Sequence, residues 1–116
     1  MSERESLKIA TLAAQAADDK KAEDVVVLDM RDLTAEFDYL TICSVPTSTQ
    51  LRAVIDEILE RLEEEGISPA RQEGRNRDSW VLLDYRSVIV HVFLTEERTY
   101  YSLEKLWADA KQVAWQ

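Results

Sequence analysis

The chain has one cysteine, two glycines and two prolines in 116 residues, and a single histidine. Each scarcity excludes something. A lone Cys43 rules out an internal disulfide and a multi-cysteine metal site. Gly66 and Gly74 are isolated, so no Gly-rich loop is available to cradle phosphates. So few glycines and prolines leave no room for long flexible linkers. No apolar run approaches the roughly 18 residues that span a bilayer. The opening Met1-Ser2-Glu3-Arg4-Glu5 is polar and mixed in charge, unlike a secretory signal or an Arg-rich transit peptide. A cytoplasmic chain without membrane association is expected. Positive charge is also in deficit, with 14 bases against 23 acids and a net charge of -9. Nucleic-acid binders neutralise phosphates with clustered Lys and Arg. Direct DNA binding is therefore not expected, and Arg71, Arg75 and Arg77 read as a solvated loop in preference to an RNA contact. An acidic domain suits a basic protein partner, which its field would steer inward.

What is present is an ordinary globular composition, 46% apolar. The length suggests one domain, residues 1–116. A domain of this size buries roughly 65% of its unfolded surface and needs no staples.

The first segment, 6–20, is Ala-rich. Leu7, Ile9, Ala10, Ala13, Ala14 and Ala17 make a shallow apolar helix face behind Ser6 as N-cap. Val25 to Leu28 is a continuous β-branched run, a strand covered on both faces or nearly so. After a polar loop from Arg31 to Phe37, Tyr39 to Cys43 alternates as a second strand. Tyr39, Thr41 and Cys43 share one face, Leu40 and Ile42 the other. Thr47 with Gln50 has the form of a capping box. Behind it Leu51, Val54, Ile55, Ile58, Leu59 and Leu62 form one buried helical stripe, stopped by Gly66. A short strand near Arg71-Gln72-Glu73 is followed by a loop through Gly74 and Asp78. Trp80–Tyr85 and Val88–Phe93 then read as two strands, antiparallel because Arg86-Ser87 is too short for a crossover. A final helix follows, with Thr95 as cap, Glu96 and Glu97 in its first turn, and Leu103, Leu106, Trp107 and Ala110 in a stripe. The order is α-β-β-α-(β)-β-β-α. That predicts an α/β fold, a single mixed β-sheet with packed helices.

Little here points to catalysis. His91 shares a strand face with Ile89 and Phe93, and the sequence places no orienting group or nucleophile beside it. It reads as a structural or interface histidine whose pH response stays open. Cys43 could pair with it as a nucleophile, but the setting is that of a buried small hydrophobe. One His, one Cys and scattered acids lack metal-ligand spacing, so neither metal nor cofactor is expected. The helix N-terminus after Pro46-Thr47-Ser48 could hold an anion. Asp29, Asp32, Asp38 and Asp84 stand at strand ends, where acids serve solubility as often as catalysis. The aromatics say more. Trp80, Tyr85, Phe93, Tyr100, Tyr101, Trp107 and Trp115 crowd the last third, and exposed Trp and Tyr favour partner-facing hot spots. Trp80, Leu82 and Asp84 share one face of their strand, Val81, Leu83 and Tyr85 the other. If helices cover one side of the sheet only, the second side is an apolar docking surface.

Asp38-Tyr39-Leu40-Thr41-Ile42, Thr47-Ser48 with Gln50 and Arg52-Ala53, Trp80-Val81-Leu82-Leu83-Asp84-Tyr85, Val90-His91-Val92-Phe93 and the run from Glu96-Glu97-Arg98 to Trp107-Ala108-Asp109-Ala110 resemble the ribosomal silencing factor S family, also called Iojap-like. The likeness covers nearly the whole chain and is strongest over 80–110. It departs at Val45-Pro46 and at Arg86-Ser87, where the family commonly has Gly, and a tight primed turn prefers Gly or Asn. Leu94-Thr95 also stands where many members are more polar.

The resemblance implies a nucleotidyltransferase-like fold without catalytic residues. It further implies a non-enzymatic factor that binds the large ribosomal subunit through its fourteenth L-series protein, blocks association with the small subunit and represses translation. Contacts are expected from Trp80, Leu82, Asp84, Tyr85, His91, Phe93, Tyr101, Glu104 and Trp107. The aromatic and aliphatic groups would supply desolvated anchor area, and Asp84 and Glu104 would meet partner Lys or Arg. The alternatives are a homodimer that buries the same face, or a nucleotidyltransferase-like enzyme, which would need a Gly-Ser turn and paired strand acids.

Overall fold

The computed structural model describes residues 3–74, 79–96 and 110–116. Two helices, α1 (Glu3–Asp19) and α2 (Ser48–Glu63), accompany six strands: β1 (Glu23–Asp29), β2 (Tyr39–Val45), β3 (Arg71–Glu73), β4 (Trp80–Asp84), β5 (Val88–Leu94) and β6 (Lys111–Val113). They form one sheet in the order β3-β4-β5-β2-β1-β6. β2 and β5 run parallel at its centre, and every other pairing is antiparallel. The fold class is therefore a single mixed sheet with packed helices.

Both helices lie on one side. The main core joins Ile9, Ala10, Ala13 and Ala17 of α1 to the α2 stripe, and to Tyr39, Cys43, Val81, Leu83, Tyr85, Val88, Val90 and Val92 of the sheet. The small side chains of α1 let its backbone approach closely. Thr41, buried in β2, uses that proximity to donate its hydroxyl to the Ala10 carbonyl at 3.2 Å, which satisfies a group that would otherwise be costly to bury. Residues of β2 are buried along its whole length, as a central strand covered on both faces requires.

α1 begins at Glu3, so Ser6 is not its cap. Ser6 lies fully buried inside the helix, among the Ala face, while Leu7 turns outward and is 36% exposed. At the other end Lys21 takes φ 65°. Ala22 N–H donates to Ala17 and Lys21 N–H to Asp18, the paired closure of a left-handed helix end. Gly66, at φ 76°, closes α2 the same way, with Ile67 donating to Leu62 and Gly66 to Glu63.

Thr47 caps α2 by accepting from Gln50 N–H at 3.2 Å. The reciprocal half of the capping box is absent. Gln50 Nε2 donates instead to the Lys20 and Lys21 carbonyls, at 3.1 and 3.0 Å. It thereby ties the last turn of α1 to the first turn of α2. Arg61 makes a second tie, reaching Asp19 at 2.8 Å and Glu57 at 2.7 Å.

Two strands differ from the sequence reading. β6 was not expected; it covers the outer edge of β1, and Trp115 Nε1–H donates to the Val25 carbonyl at 3.2 Å beyond it. β1 carries a bulge between Glu23 and Val26, with Asp24 at φ 49°. The expected final helix falls mostly on 97–109, outside the described residues. Of its flanks, Thr95 donates its hydroxyl to Glu23 Oε1 at 3.4 Å, and Ala110 packs on the second face of the sheet.

Candidate functional site

The second face has its own cluster. Leu28, Met30, Leu40, Ile42 and Phe93 are buried there, with Val26, Phe37, Trp80, Ile89 and Ala110 packed against them. Neither described helix contributes to it. The face is not open throughout, as a bare docking surface would be. Its β2 and β5 middle, at Leu40, Ile42 and Phe93, is buried, whereas Trp80, Leu82, Asp84, Ile89 and His91 are half-buried. The accessible part is the wing formed by β3, β4 and β5.

Alternation of the pleat places these groups. Leu82 lies opposite His91, Trp80 opposite Phe93 and Asp84 opposite Ile89. On β3, Arg71 lies opposite Asp84 and Glu73 opposite Leu82. Trp80 Nε1–H donates to His91 Nδ1 at 3.1 Å. The two rings are 6.0 Å apart and tilted by 31°, while Phe93 stacks on the imidazole at 5.6 Å and 4°. That hydrogen bond assigns the ring proton to Nε2 in the neutral form. Burial pushes the His91 pKa down to about 4, so the ring is neutral at neutral pH.

Gly74 sets where Trp80 begins. It takes φ 140°, and a Cβ there would collide with the Trp80 carbonyl oxygen and come within 2.8 Å of Val81 Cα. No side chain fits between that loop and β4. The edge beside the wing is ion-paired. Arg71 reaches Asp84 Oδ2 at 3.2 Å and Glu73 at 3.2 Å, and Asp84 Oδ1 accepts the Arg86 N–H at 2.7 Å.

Of the expected contact residues, Trp80, Leu82 and His91 come together on this wing. Asp84 joins them, but with both carboxylate oxygens already engaged. Tyr85 and Phe93 are corrected by the structure. Tyr85 is 2% exposed, on the helix-covered side. Phe93 is 3% exposed and supports His91 from within. Neither presents area to a partner. Tyr101, Glu104 and Trp107 lie outside the described residues, as do Arg75 and Arg77. Ile89, which alternation already places on the His91 face, and Glu73, which the sequence did not single out, belong to the same wing.

Chemistry of other kinds finds little geometry. Cys43 is buried in the main core, on the opposite side of the sheet from His91. The pair considered as nucleophile and base is not brought together. Among the described residues no group of three His, Cys, Asp or Glu gathers as a metal site would require. The turn between β2 and α2 carries Pro46 and Thr47, both exposed, and no glycine. Asp29, at the opposite end of the sheet, is held below the usual carboxylate range by its hydrogen bond with Arg31. Among the described residues no helix is long and apolar enough to cross a membrane.

Fold and site together define a small mixed α/β domain. Among the described residues, α1 and α2 lie on one side and, on the other, a half-buried aromatic and imidazole wing stands beside an ion-paired edge. The chain belongs to the ribosomal silencing factor family: the family described as ribosomal silencing factor during starvation matches residues 3–116. It is 44% identical to ribosomal silencing factor RsfS of Bacillus subtilis over 110 residues, 95% of this chain and 91% of that one. It is 30% identical to the chloroplastic protein Iojap of Zea mays, over 94% of this chain and 47% of that one. Among solved structures, a Chromobacterium violaceum protein superposes with a TM-score of 0.83 at 33% identity, covering 93% of this chain and 88% of that one. A Bacillus halodurans protein gives 0.79 at 41% identity, covering 92% and 97%.

Proposed function

We propose that this chain is a cytoplasmic, non-enzymatic translation repressor. It binds the large ribosomal subunit through its fourteenth L-series protein and obstructs joining of the small subunit. The observation that carries this reading is the family match across 3–116 with 44% identity to a ribosomal silencing factor. The wing supplies a fitting surface. Trp80, Leu82 and His91 offer ring and aliphatic area of the kind that anchors interfaces, on a chain of net charge -9 that would steer a basic ribosomal protein. Asp84 can serve a partner cation only by exchanging Arg71 for it. Tyr101, Glu104 and Trp107 remain proposed contacts.

The test is co-sedimentation with purified large and small subunits, followed by a subunit-joining assay. Binding to large subunits alone and a fall in joining are expected. Leu82→Ala should weaken that binding by about 2 kcal/mol if Leu82 is an anchor. Free joining at saturating protein would overturn the reading. Heat and turnover in a nucleotide-plus-magnesium titration would favour the enzyme alternative instead.

A further inference from the structure

We propose that Arg86, at the tip of the β4–β5 hairpin, contacts a phosphate of ribosomal RNA when the wing is docked. This rests on the reading that the chain binds the large subunit through that wing. Four observations converge on the residue.

Arg86 takes φ 72°, a left-handed conformation that costs a side chain such as Arg, that Gly adopts without strain and that Asn adopts at lower cost. The tip is nonetheless tightly built. Arg86 N–H donates to Asp84 Oδ1 at 2.7 Å, Ser87 N–H to the Tyr85 carbonyl at 2.9 Å and Tyr85 N–H to the Val88 carbonyl at 2.9 Å. Asp38 N–H braces it from the neighbouring loop by donating to the Ser87 carbonyl at 2.7 Å. The side chain is exposed. Finally, Arg31, Arg61 and Arg71 are all ion-paired, while the Arg86 guanidinium has no ion pair among the described residues. Its nearest carboxylate along the chain, Asp84, is taken by Arg71 and by the backbone.

A positive-φ arginine on a braced, exposed tip that makes no ion pair among the described residues, and that closes no helix as Lys21 does at φ 65°, suggests use outside the fold. The charge selects the class of ligand. A basic ribosomal protein would repel a guanidinium. Much of the remaining surface of a ribosomal subunit is RNA, whose phosphates the planar fork of Arg matches bidentately. The body of the chain, at net charge -9, is repelled by RNA. A cation on a braced tip, with no ion pair among the described residues, is a group that can touch it.

The experiment measures binding of the full chain to purified large subunits across a salt series, and to the isolated fourteenth L-series protein. Wild type, Arg86→Gly and Arg86→Lys are compared. Against subunits, Arg86→Gly should bind about three- to tenfold more weakly near 0.1 M salt, with a slope of log affinity on log salt shallower by about one. Arg86→Lys should retain most of the slope. Against the isolated protein all three should bind alike. The thermal midpoint of Arg86→Gly should equal or exceed that of wild type, since glycine relieves the tip. Unchanged affinity and slope on subunits would overturn the proposal. An equal loss against the isolated protein would also overturn it, because the guanidinium would then meet a protein carboxylate, and so would a lowered midpoint. Failure of wild type to bind subunits at all would instead remove the parent reading, and this proposal with it.

Discussion

Single atoms decide several properties of this domain. The Tyr85 hydroxyl is buried with no hydrogen-bond partner among the described residues, and burial raises its pKa. An unsatisfied buried hydroxyl is costly, whereas its removal with the ring kept is nearly free of packing loss. Tyr85→Phe should therefore raise stability by about 1 kcal/mol, read from the midpoint of urea unfolding at constant slope. A lower midpoint would mean that the hydroxyl does find a partner. His91 makes the opposite kind of contribution. Its folded pKa of about 4 lies below the ordinary 6.5 because burial disfavours the charged ring. Protonation at Nδ1 would also remove the acceptor of the Trp80 N–H. Above pH 6.5 both folded and unfolded states hold a neutral ring, and the stability is fully present. Between 6.5 and 4 the unfolded state gains a proton that the folded state refuses. Stability then falls, by at most about 3 kcal/mol from this group. Unfolding midpoints of wild type and His91→Gln over that range measure the difference. Equal pH slopes for the two would refute the assignment.

At the scale of elements, α2 was the most legible and β6 the least. α2 has a cap, an uninterrupted apolar stripe and a glycine stop, all local and all readable. Thr47→Ala should cost about 1 kcal/mol by orphaning the Gln50 N–H, as chemical denaturation would register. No change would mean that solvent satisfies the N–H equally well. The side chain of Gln50 was not legible, because its acceptors are the Lys20 and Lys21 carbonyls about thirty positions earlier. β6 has only Val113 as an apolar residue in Lys111–Val113, too little for any period. It is a strand because β1 has a free edge to offer. Ser6 fails as a cap for a related reason: a Ser before a periodic run looks like a cap, yet the helix extends past it and the small residue packs on the core. The pleat of β4 and β5 was legible to the residue, and Trp80, Leu82 and His91 fell on one face as alternation requires. Which face the helices would cover was not, since parity is symmetric. Tyr85 has the parity of Val81 and Leu83 and goes with them to the helix side, so it cannot be a contact on the same face as Trp80 and Leu82. The need for glycine at Gly74 was equally hidden, because the backbone it admits belongs to Trp80. Gly74→Ala should lower stability and shift Trp80 emission, which fluorescence during unfolding would show together. Unaltered emission would mean that the loop yields without moving β4.

For the whole molecule, the proposed function would divide the work of association between charge and shape. The net charge of -9 acts over roughly a Debye length, about 10 Å at 0.1 M salt, and so on encounter. Under that proposal the wing would act only after contact, when Trp80 and Leu82 would lose water. The two contributions separate in kinetics. Association with the isolated fourteenth L-series protein should slow as salt rises from about 50 to 500 mM, because screening removes the steering between an acidic and a basic surface. Dissociation should change little over the same range, since the apolar contact is not screened. Leu82→Ala should reverse the pattern, leaving association almost unchanged and speeding dissociation about tenfold or more. Stopped-flow measurement of both rates across the salt series decides the matter. An association rate indifferent to salt would detach the acidic character of the chain from its binding, and place the whole burden of recognition on the wing.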